Sequence, residues 1–441
     1  MGLSAAGAAM TALLLPAGLL AASPGGADEH AGPRYDMVSV NDEGRAADDN
    51  ASGVSVSRDG RWVAYSSRAQ NLDRRTRPGY PQVFLRDNRT RRVRAVGADR
   101  RGRLAEAAES VSISPNGRFV AFCSSDDLVE PDTFNPGVDT PDTDVFVRDL
   151  RTGRVRRASA ASGGGEGDDY SCVPDVADTG DVAFFSRATN LVAGDDNGVP
   201  DYFLHDWGSR RTRRLATAEI ASGAVRLSAD GRVAAVVTTE ALVDRDTGSW
   251  PDVYVLRRGR GLRGTWSLPL AQDDGLPTDT GCGWTGLSLS RTGRYLTGAC
   301  ADGGIAATPI ADKPVHLWWT DRRTGSTRLV NRTDDIDSEV DGAQVSDDGR
   351  RVFFVSRERA YVRAAAGSLR ADYQGVFLWE RGRGVRSLTP GDAWWDDYGF
   401  DASGDGSTVV FASLSNAMAG RDPDAPPVMQ LFARRVGSRA R

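Results

Sequence analysis

The stretch Ser57 to Ser66 reads SRDGRWVAYS, and close relatives of it return as SPNGRFVAFC from Ser114 and SADGRVAAVV from Ser228. A catalytic loop occurs once in a chain, whereas a motif in register along the whole chain is architecture. The turn-like dipeptides fall at Asp59-Gly60, Asn116-Gly117, Thr179-Gly180, Asp230-Gly231, Thr292-Gly293, Asp348-Gly349 and Asp405-Gly406. The first and last lie 346 residues apart over six steps, about 58 residues per repeat. That period is too long for most helical repeats and suits a propeller blade with extended loops. Each dipeptide separates two short β-like runs, and Gly, Asn and Asp tolerate the positive φ that a tight hairpin turn demands.

The run after each turn carries two apolar columns. One reads Val63, Val120, Val182, Ala234, Leu296, Val352 and Val409; two residues on, the other reads Tyr65, Phe122, Phe184, Val236, Gly298, Phe354 and Phe411. The position between them is often alanine, so both faces of the strand are apolar. A solvent-facing sheet would alternate apolar with polar, whereas stacked blades bury both faces. A third strand follows each variable loop, with the aromatic column Phe84, Phe146, Phe203, Tyr254, Trp318, Phe377 and Phe432. A fourth, arginine-rich strand follows, as in RRVRAV from Arg91. The seventh repeat lacks its fourth strand, and Tyr35–Val40 (YDMVSV) precedes the first repeat as a strand without a partner. Joining the two removes an open edge. The expected fold is all-β: a seven-bladed β-propeller of four-stranded antiparallel blades, closed by the N-terminal strand, with six or eight blades as alternatives.

The pattern S-x-D-G-R-x-V-A-F, a variable loop, then D-V-F-V-R-D resembles the WD-like β-propeller repeats of the TolB type over nearly the whole chain beyond the first residues. The resemblance implies an exported, usually non-catalytic propeller that binds partners over the ring's central opening. The separate N-terminal α/β domain of TolB has no counterpart among these residues, which argues against a role in that envelope system.

Residues 1–27 carry no charge before Asp28, hold the apolar core TALLLPAGLLAA and end in small residues. They read as a secretory signal peptide that lacks a basic n-region, followed by a short tail over 28–34 and one propeller domain over 35–441. No cysteine follows the apolar run, so a lipid anchor is not expected, and no later stretch is apolar enough to span a bilayer. The four cysteines of an exported chain are expected as disulfides: Cys123 with Cys172, between neighbouring blades, and Cys282 with Cys300, flanking one hairpin. A two-residue turn at Thr292-Gly293 places Thr285 rather than Cys282 opposite Cys300, so the second pair requires the strand to bend. The three histidines, His30, His205 and His316, are scattered, and His205 takes the place of Arg86 and Arg148 in sister repeats, a strand position.

Acidic pairs recur before the first strand of several repeats, including Asp168-Asp169, Asp273-Asp274 and Asp396-Asp397. Tyr170, Trp284, Trp394 and Trp395 accompany them, rings suited to sugar stacking or protein contact. Because strand direction alternates, these loops share one face with the loops between strands two and three. The reading is an acidic loop face, a basic rim and turns on the opposite face. The structural alternative is a set of solvated loops with charge-guarded strand edges. Asp195, Asn197 and Asp201, in GDDNGVPD, have a spacing that can hold calcium, without an EF-hand's bidentate glutamate; no other cofactor is expected. A Gly-x-Ser-x-Gly nucleophile elbow is absent. The net charge of -5 and the expected export argue against a nucleic-acid partner. The expectation is a monomeric, non-enzymatic propeller that binds a protein or an envelope glycan on its acidic loop face. The alternative is a carbohydrate-active propeller, glycosidase- or lyase-like.

Overall fold

Seven four-stranded antiparallel sheets make up the computed structural model, one for each sequence repeat. It describes residues 35–441 except 100, 106, 127, 130–142, 219–224, 243–250, 259–265, 268–281, 302–314, 332–339, 358–373, 390–398, 417, 420–425 and 438–441. For 266, 267, 282–285, 301, 315 and 341 it describes the backbone alone. In six blades the strands follow one another in chain order. The seventh combines Phe400–Ala402, Thr408–Ser413 and Gln430–Arg435 with Asp36–Met37 from the other end of the chain. Asp36 lies opposite Ala433 and Met37 opposite Phe432. The Val38 amide donates to Leu431 O at 2.7 Å, and the Ser39 hydroxyl donates to Gln430 Oε1 at 2.6 Å, both in the interior. The expected closure is therefore present, and it leaves blade seven no missing strand.

The two bulky columns of each repeat meet across the second and third strands. Tyr65 faces Phe84, Phe122 faces Phe146, Phe184 faces Phe203, Val236 faces Tyr254, Gly298 faces Trp318, Phe354 faces Phe377 and Phe411 faces Phe432. Each aromatic pair adds a stacked or tilted ring contact to the area it buries; Tyr65 and Phe84 lie 5.6 Å apart, and Phe184 and Phe203 lie 5.8 Å apart. His205 lies opposite Val182, as Arg86 lies opposite Val63, and is buried in its strand with Nδ1 2.9 Å from the Thr212 hydroxyl. Burial pushes its pKa down to about 4.

The S-x-D-G-R turn is a closed hydrogen-bond unit. Ser57 Oγ donates to Asp59 Oδ1 and accepts the Trp62 amide, while the same Asp59 oxygen accepts the Arg61 amide. The same three bonds recur around Ser114, Ser228 and Ser403. Asn116, Asp230 and Asp405 play the part of Asp59. Blade three carries Ala177 at the serine position and lacks the hydroxyl.

The glycine of the turn has a second reason to be glycine. Its φ is positive in all seven repeats, from +64° at Gly349 to +86° at Gly180. A Cβ there would also crowd a side chain of the preceding blade, in six of the seven junctions the one that follows the motif's arginine position. Gly349 would meet the Tyr295 ring at 2.5 Å, Gly60 would meet Thr408 Oγ1 at 2.6 Å, and Gly117 would meet the Trp62 ring. Gly180 faces Phe119, Gly231 faces Asp181, Gly293 faces Val233 and Gly406 faces Arg351. Each blade is thus notched for its neighbour, seven times around the ring.

Departures from the simplest hairpin reading occur on the innermost strands of five blades, the one in blade six between Val340 and Gly342. Bulges fall between Ser52 and Ser55, Glu109 and Ser112, and Cys172 and Asp175, each with a residue in the left-handed region: Gly53, Ser110 and Val173. In blade five the irregularity lies between Gly283 and Ser288, with Gly286 at φ +78°. It absorbs three residues, so Cys282 rather than Thr285 lies opposite Cys300. The bulge is the bend that the expected Cys282–Cys300 pairing requires. Cys300 is disulfide-bonded, and the side chain of Cys282 lies outside the described residues. The other bridge, Cys123–Cys172, joins the second strand of blade two to the first strand of blade three with a Cα separation of 5.4 Å, as expected.

Candidate functional site

The innermost strands present one polar column to the middle of the ring, four residues before each turn dipeptide: Ser55, Ser112, Asp175, Arg226, Ser288, Gln344 and Asp401. Several of these side chains accept an amide of the next blade. Ser55 takes Ile113 N at 3.0 Å, Ser112 takes Val176 N at 3.1 Å, Asp175 takes Leu227 N at 2.5 Å, Ser288 takes Val345 N at 3.1 Å and Asp401 takes Val56 N at 2.6 Å. Residues beside the turn dipeptides complete the circle at the turn end. Arg58 N bonds Pro115 O, Asn116 N bonds Asp178 Oδ1, Asp178 N bonds Ala229 O and Ala229 N bonds Arg291 O. Arg291 N then bonds Asp347 Oδ1, Asp347 N bonds Gly404 O and Asp405 N bonds Arg58 O. All seven junctions are closed.

Two arginines bridge blades that are not neighbours. Arg58 Nε of blade one lies 2.7 Å from Asp347 Oδ2 of blade six, and Arg291 Nη2 of blade five lies 3.0 Å from Val56 O of blade one. Gly404 has no side chain where Arg291 passes. Burial pushes the Asp175 and Asp178 carboxyls up and lifts Asp401 to about 6, against the pull of Arg291 on all three. These residues were not singled out from the sequence. Their signal is a polar side chain on an otherwise apolar strand at a constant offset from the turn.

On the opposite face the acidic pairs have structural partners. Asp168 Oδ1 accepts the Thr189 amide at 2.7 Å and Oδ2 its hydroxyl at 2.8 Å, while Asn190 Nδ2 donates to Glu166 O. Blade one repeats the clasp: Asp48 Oδ1 accepts the Gln70 amide, and Asn71 Nδ2 donates to Ala46 O. The recurring RAQNL and RATNL, from Arg68 and Arg187, are its sequence trace. Asp169 accepts the Tyr170 amide, and the half-buried Tyr170 ring packs edge-on against Phe185. Asp168, Asp169 and Tyr170 are consecutive, and each makes its own local contact. Asp273, Asp274, Trp394, Trp395, Asp396, Asp397 and the Trp284 side chain lie outside the described residues.

The loop ends of two neighbouring third strands carry buried acids. Asp144 is paired with Arg157 at 2.7 Å, and Arg157 also reaches Glu166 at 3.1 Å. Burial lifts Asp144 to about 7 despite that arginine. Asp201 is paired with Arg214 at 2.8 Å and takes Asn197 Nδ2 on both oxygens, at 3.2 and 3.1 Å. Burial, then the nearby Asp201, lifts Asp195 to about 6. Arg214 is thereby part of an ion-pair network with Asp201 and Glu240 rather than a free rim charge. Among the described residues no group of three His, Cys, Asp or Glu is arranged to hold a metal ion, and no helix is long and apolar enough to cross a membrane.

No family model matches the sequence, and no curated protein matches it. Among solved structures the chain is similar to an oligogalacturonate lyase from Vibrio parahaemolyticus, with 9% identity over 91% of this chain and 97% of that one at a TM-score of 0.53. It is also similar to the β-propeller domain of the Trilobed protease from Pyrococcus furiosus, with 13% identity over 88% and 95% of the two chains at a TM-score of 0.51. That domain has an open velcro topology, whereas here an N-terminal strand lies in the last blade. TolB from Acinetobacter baumannii is a further neighbour, with 19% identity over 63% and 53% of the chains at a TM-score of 0.35, too distant to carry an argument. At these identities the likeness shows the propeller fold alone.

Proposed function

We propose that this chain is an exported, non-enzymatic propeller that binds a protein or cell-envelope ligand on its loop face. One observation carries the choice of face. The turns between the first and second strands, 57–61, 114–118, 177–181, 228–232, 290–294, 346–350 and 403–407, all have five residues. The connections between the second and third strands run from 13 residues (239–251) to 19 (125–143). By strand pairing these turns vary by a single residue, in blade three, where Val176 lies opposite Val182; architecture repeats one turn almost unchanged. Variable loops on a rigid ring are where recognition concentrates. The Cys123–Cys172 bridge suits an oxidising, extracytoplasmic compartment. The acidic pairs and tryptophans that we place on the same face, in the connections leading into the next first strand, Trp394 to Asp397 above all, are the surface we assign to the ligand.

Capture from envelope extracts, with the wild type beside Trp394→Ala/Trp395→Ala and Asp396→Asn/Asp397→Asn, tests the proposal. It expects a partner retained by the wild type, lost by the tryptophan variant and more salt-tolerant with the aspartate variant. A partner held equally by all three would move the site elsewhere. Turnover of a glycan panel by the purified chain, abolished by a loop carboxylate substitution, would replace this reading with a carbohydrate-active enzyme. Calcium enters the proposal at Asp195 and Asp201, whose carboxylates crowd each other. A calcium-dependent rise in Tm that Asp195→Asn removes would support it, and no rise would remove the ion from the reading.

A further inference from the structure

Between blades five and six, on the turn face, lies a groove of 710 Å³ lined by Arg294, Arg323, Arg328, Arg350 and Arg381 over a floor that includes Trp319. It lies on the face opposite the loops and is independent of the function proposed for them. Three carboxylates also line it, and each already has donors. Arg294 holds Asp321 through two bonds of 2.8 and 2.6 Å. Asp347 takes Arg58 and the Arg291 amide. Asp348 takes the Ser346 hydroxyl at 2.7 Å and the Arg350 amide at 2.9 Å. Arg323, Arg328 and Arg381 are exposed and make no ion pair among the described residues. The groove therefore offers guanidinium donors in excess, while its acceptors are occupied.

The floor supplies an independent observation. The corresponding third-strand position is Leu85, Val147, Leu204, Val255, Leu378 or Ala433 in the other blades, and only blade five has a tryptophan there. Trp319 is 1% exposed, and its indole N–H has no hydrogen-bond partner among the described residues. A buried donor left unpaired costs about 1–3 kcal/mol, which apolar residues at the sister positions avoid. Tyr295 stacks on the indole at 5.6 Å, and the Arg381 guanidinium lies 5.6 Å over it, so the ring is fixed between the base of the groove and its cationic wall.

Donors without free acceptors select oxyanions, and the planar fork of arginine matches carboxylate and phosphate. Several guanidinium groups around one groove select a ligand that repeats its charge, and the volume suits one of a few units. We propose that this groove binds a short oligomeric oxyanion, a run of uronate or phosphate units, with Arg323, Arg328 and Arg381 pairing its charges.

Titrating the full chain with a uronate trimer and with tripolyphosphate, followed by calorimetry and tryptophan fluorescence at low and physiological salt, tests this. Saturable, salt-sensitive binding of at least one probe is expected. Arg323→Gln/Arg381→Gln should weaken it about ten- to a hundredfold and reduce its salt dependence, with Tm lowered only slightly, because both side chains are exposed and outside ion pairs and Arg381 gives up a single cation–π contact. Trp319→Phe, which keeps the aromatic floor and removes the donor, should weaken it by a smaller factor. Arg89→Gln, away from the groove, should bind as the wild type does. Preference for the uronate identifies a sugar acid as the source, preference for the polyphosphate a phosphate. Absence of saturable binding of both probes, or a double variant that binds like the wild type, overturns the proposal.

Discussion

One strand carries the difference between the two faces of this ring. In Asp144–Asp149 of blade two, Asp144 stands at the loop end and Asp149 at the turn end. Burial lifts the first to about 7, although Arg157 is 2.7 Å away. Hydrogen bonds from Arg118 pull the second down to about 2. The turn-face pair recurs, since Arg61 holds Asp87 and Arg294 holds Asp321 in the same two-bond manner. The arginine of each pair also lies over an aromatic ring, Trp62, Phe119 or Tyr295, at 4.6 to 4.7 Å. One face is a repeated and locally satisfied device. The other holds acids whose environments differ from blade to blade. Repetition serves the ring, and variation leaves room for function.

The largest test of that contrast attacks the ring itself. Deleting residues 35–40 removes the closing strand, the Ser39–Gln430 bond and the fully buried Val38. The loss should be on the order of 5 kcal/mol or more, comparable to the total stability of an ordinary domain. A thermal melt like that of the full chain would show that closure contributes nothing. Next, reducing or replacing Cys123–Cys172 releases a loop of sequence separation 49, worth about 4 kcal/mol on chain-entropy grounds. Urea titrations of a Cys123→Ala/Cys172→Ala variant beside the wild type measure it, since reductant would also open the bridge at Cys300.

The glycine notch separates backbone strain from packing. Gly349→Ala meets both a positive φ and the Tyr295 ring, and should cost about 2–4 kcal/mol. Gly194→Ala on the loop side has φ +77° with nothing within 4 Å, and should cost about 1 kcal/mol. Equal losses in urea unfolding would refute the interlock. The smallest effect is in pH. Asp144, Asp195 and Asp401 have folded pKa values raised to about 7, 6 and 6. A carboxyl raised in the fold contributes more as pH falls; His205, lowered to about 4, works the other way below its ordinary value, but three carboxyls outweigh one imidazole, so stability should increase from pH 7 down to about 4. Asp87 and Asp149, lowered to about 2, contribute fully above about pH 4 and lose that contribution as pH falls toward 2. A maximum near pH 4–5 is expected, with the neutral limb flattened in Asp144→Asn; a profile flat from 7 to 4 would contradict the burial assigned to these acids.

Much of the scaffold was legible because its signals are local and repeated. The turn chemistry of Ser57 to Arg61 is complete within a few residues, and the apolar columns have the period of a strand. The N-terminal closure followed from counting strands. The candidate site was less legible. Asp168 carries the acidic signal as expected, but its oxygens clasp Thr189, a contact that acidity alone does not reveal. Arg213 and Arg214 look alike on the rim, yet only Arg214 meets Asp201 and Glu240.

By itself the sequence pointed to seven repeats, to which strands pair within them, to where the turns fall and to an N-terminal strand completing the last blade, because each of these depends on neighbours a few residues away or on a count of repeats. Only the tertiary structure decided what crosses between blades. Arg58 and Asp347 are 289 residues apart and form an ion pair because the ring brings blades one and six together. Cys282 stands opposite Cys300 because a bulge absorbs three residues that no turn rule predicts. Trp319, one more aromatic in an aromatic-rich strand, lies beneath a cluster of arginines because blades five and six pack side by side. Positions of this kind depend on closing the whole ring, and a short window of sequence holds no information about closure.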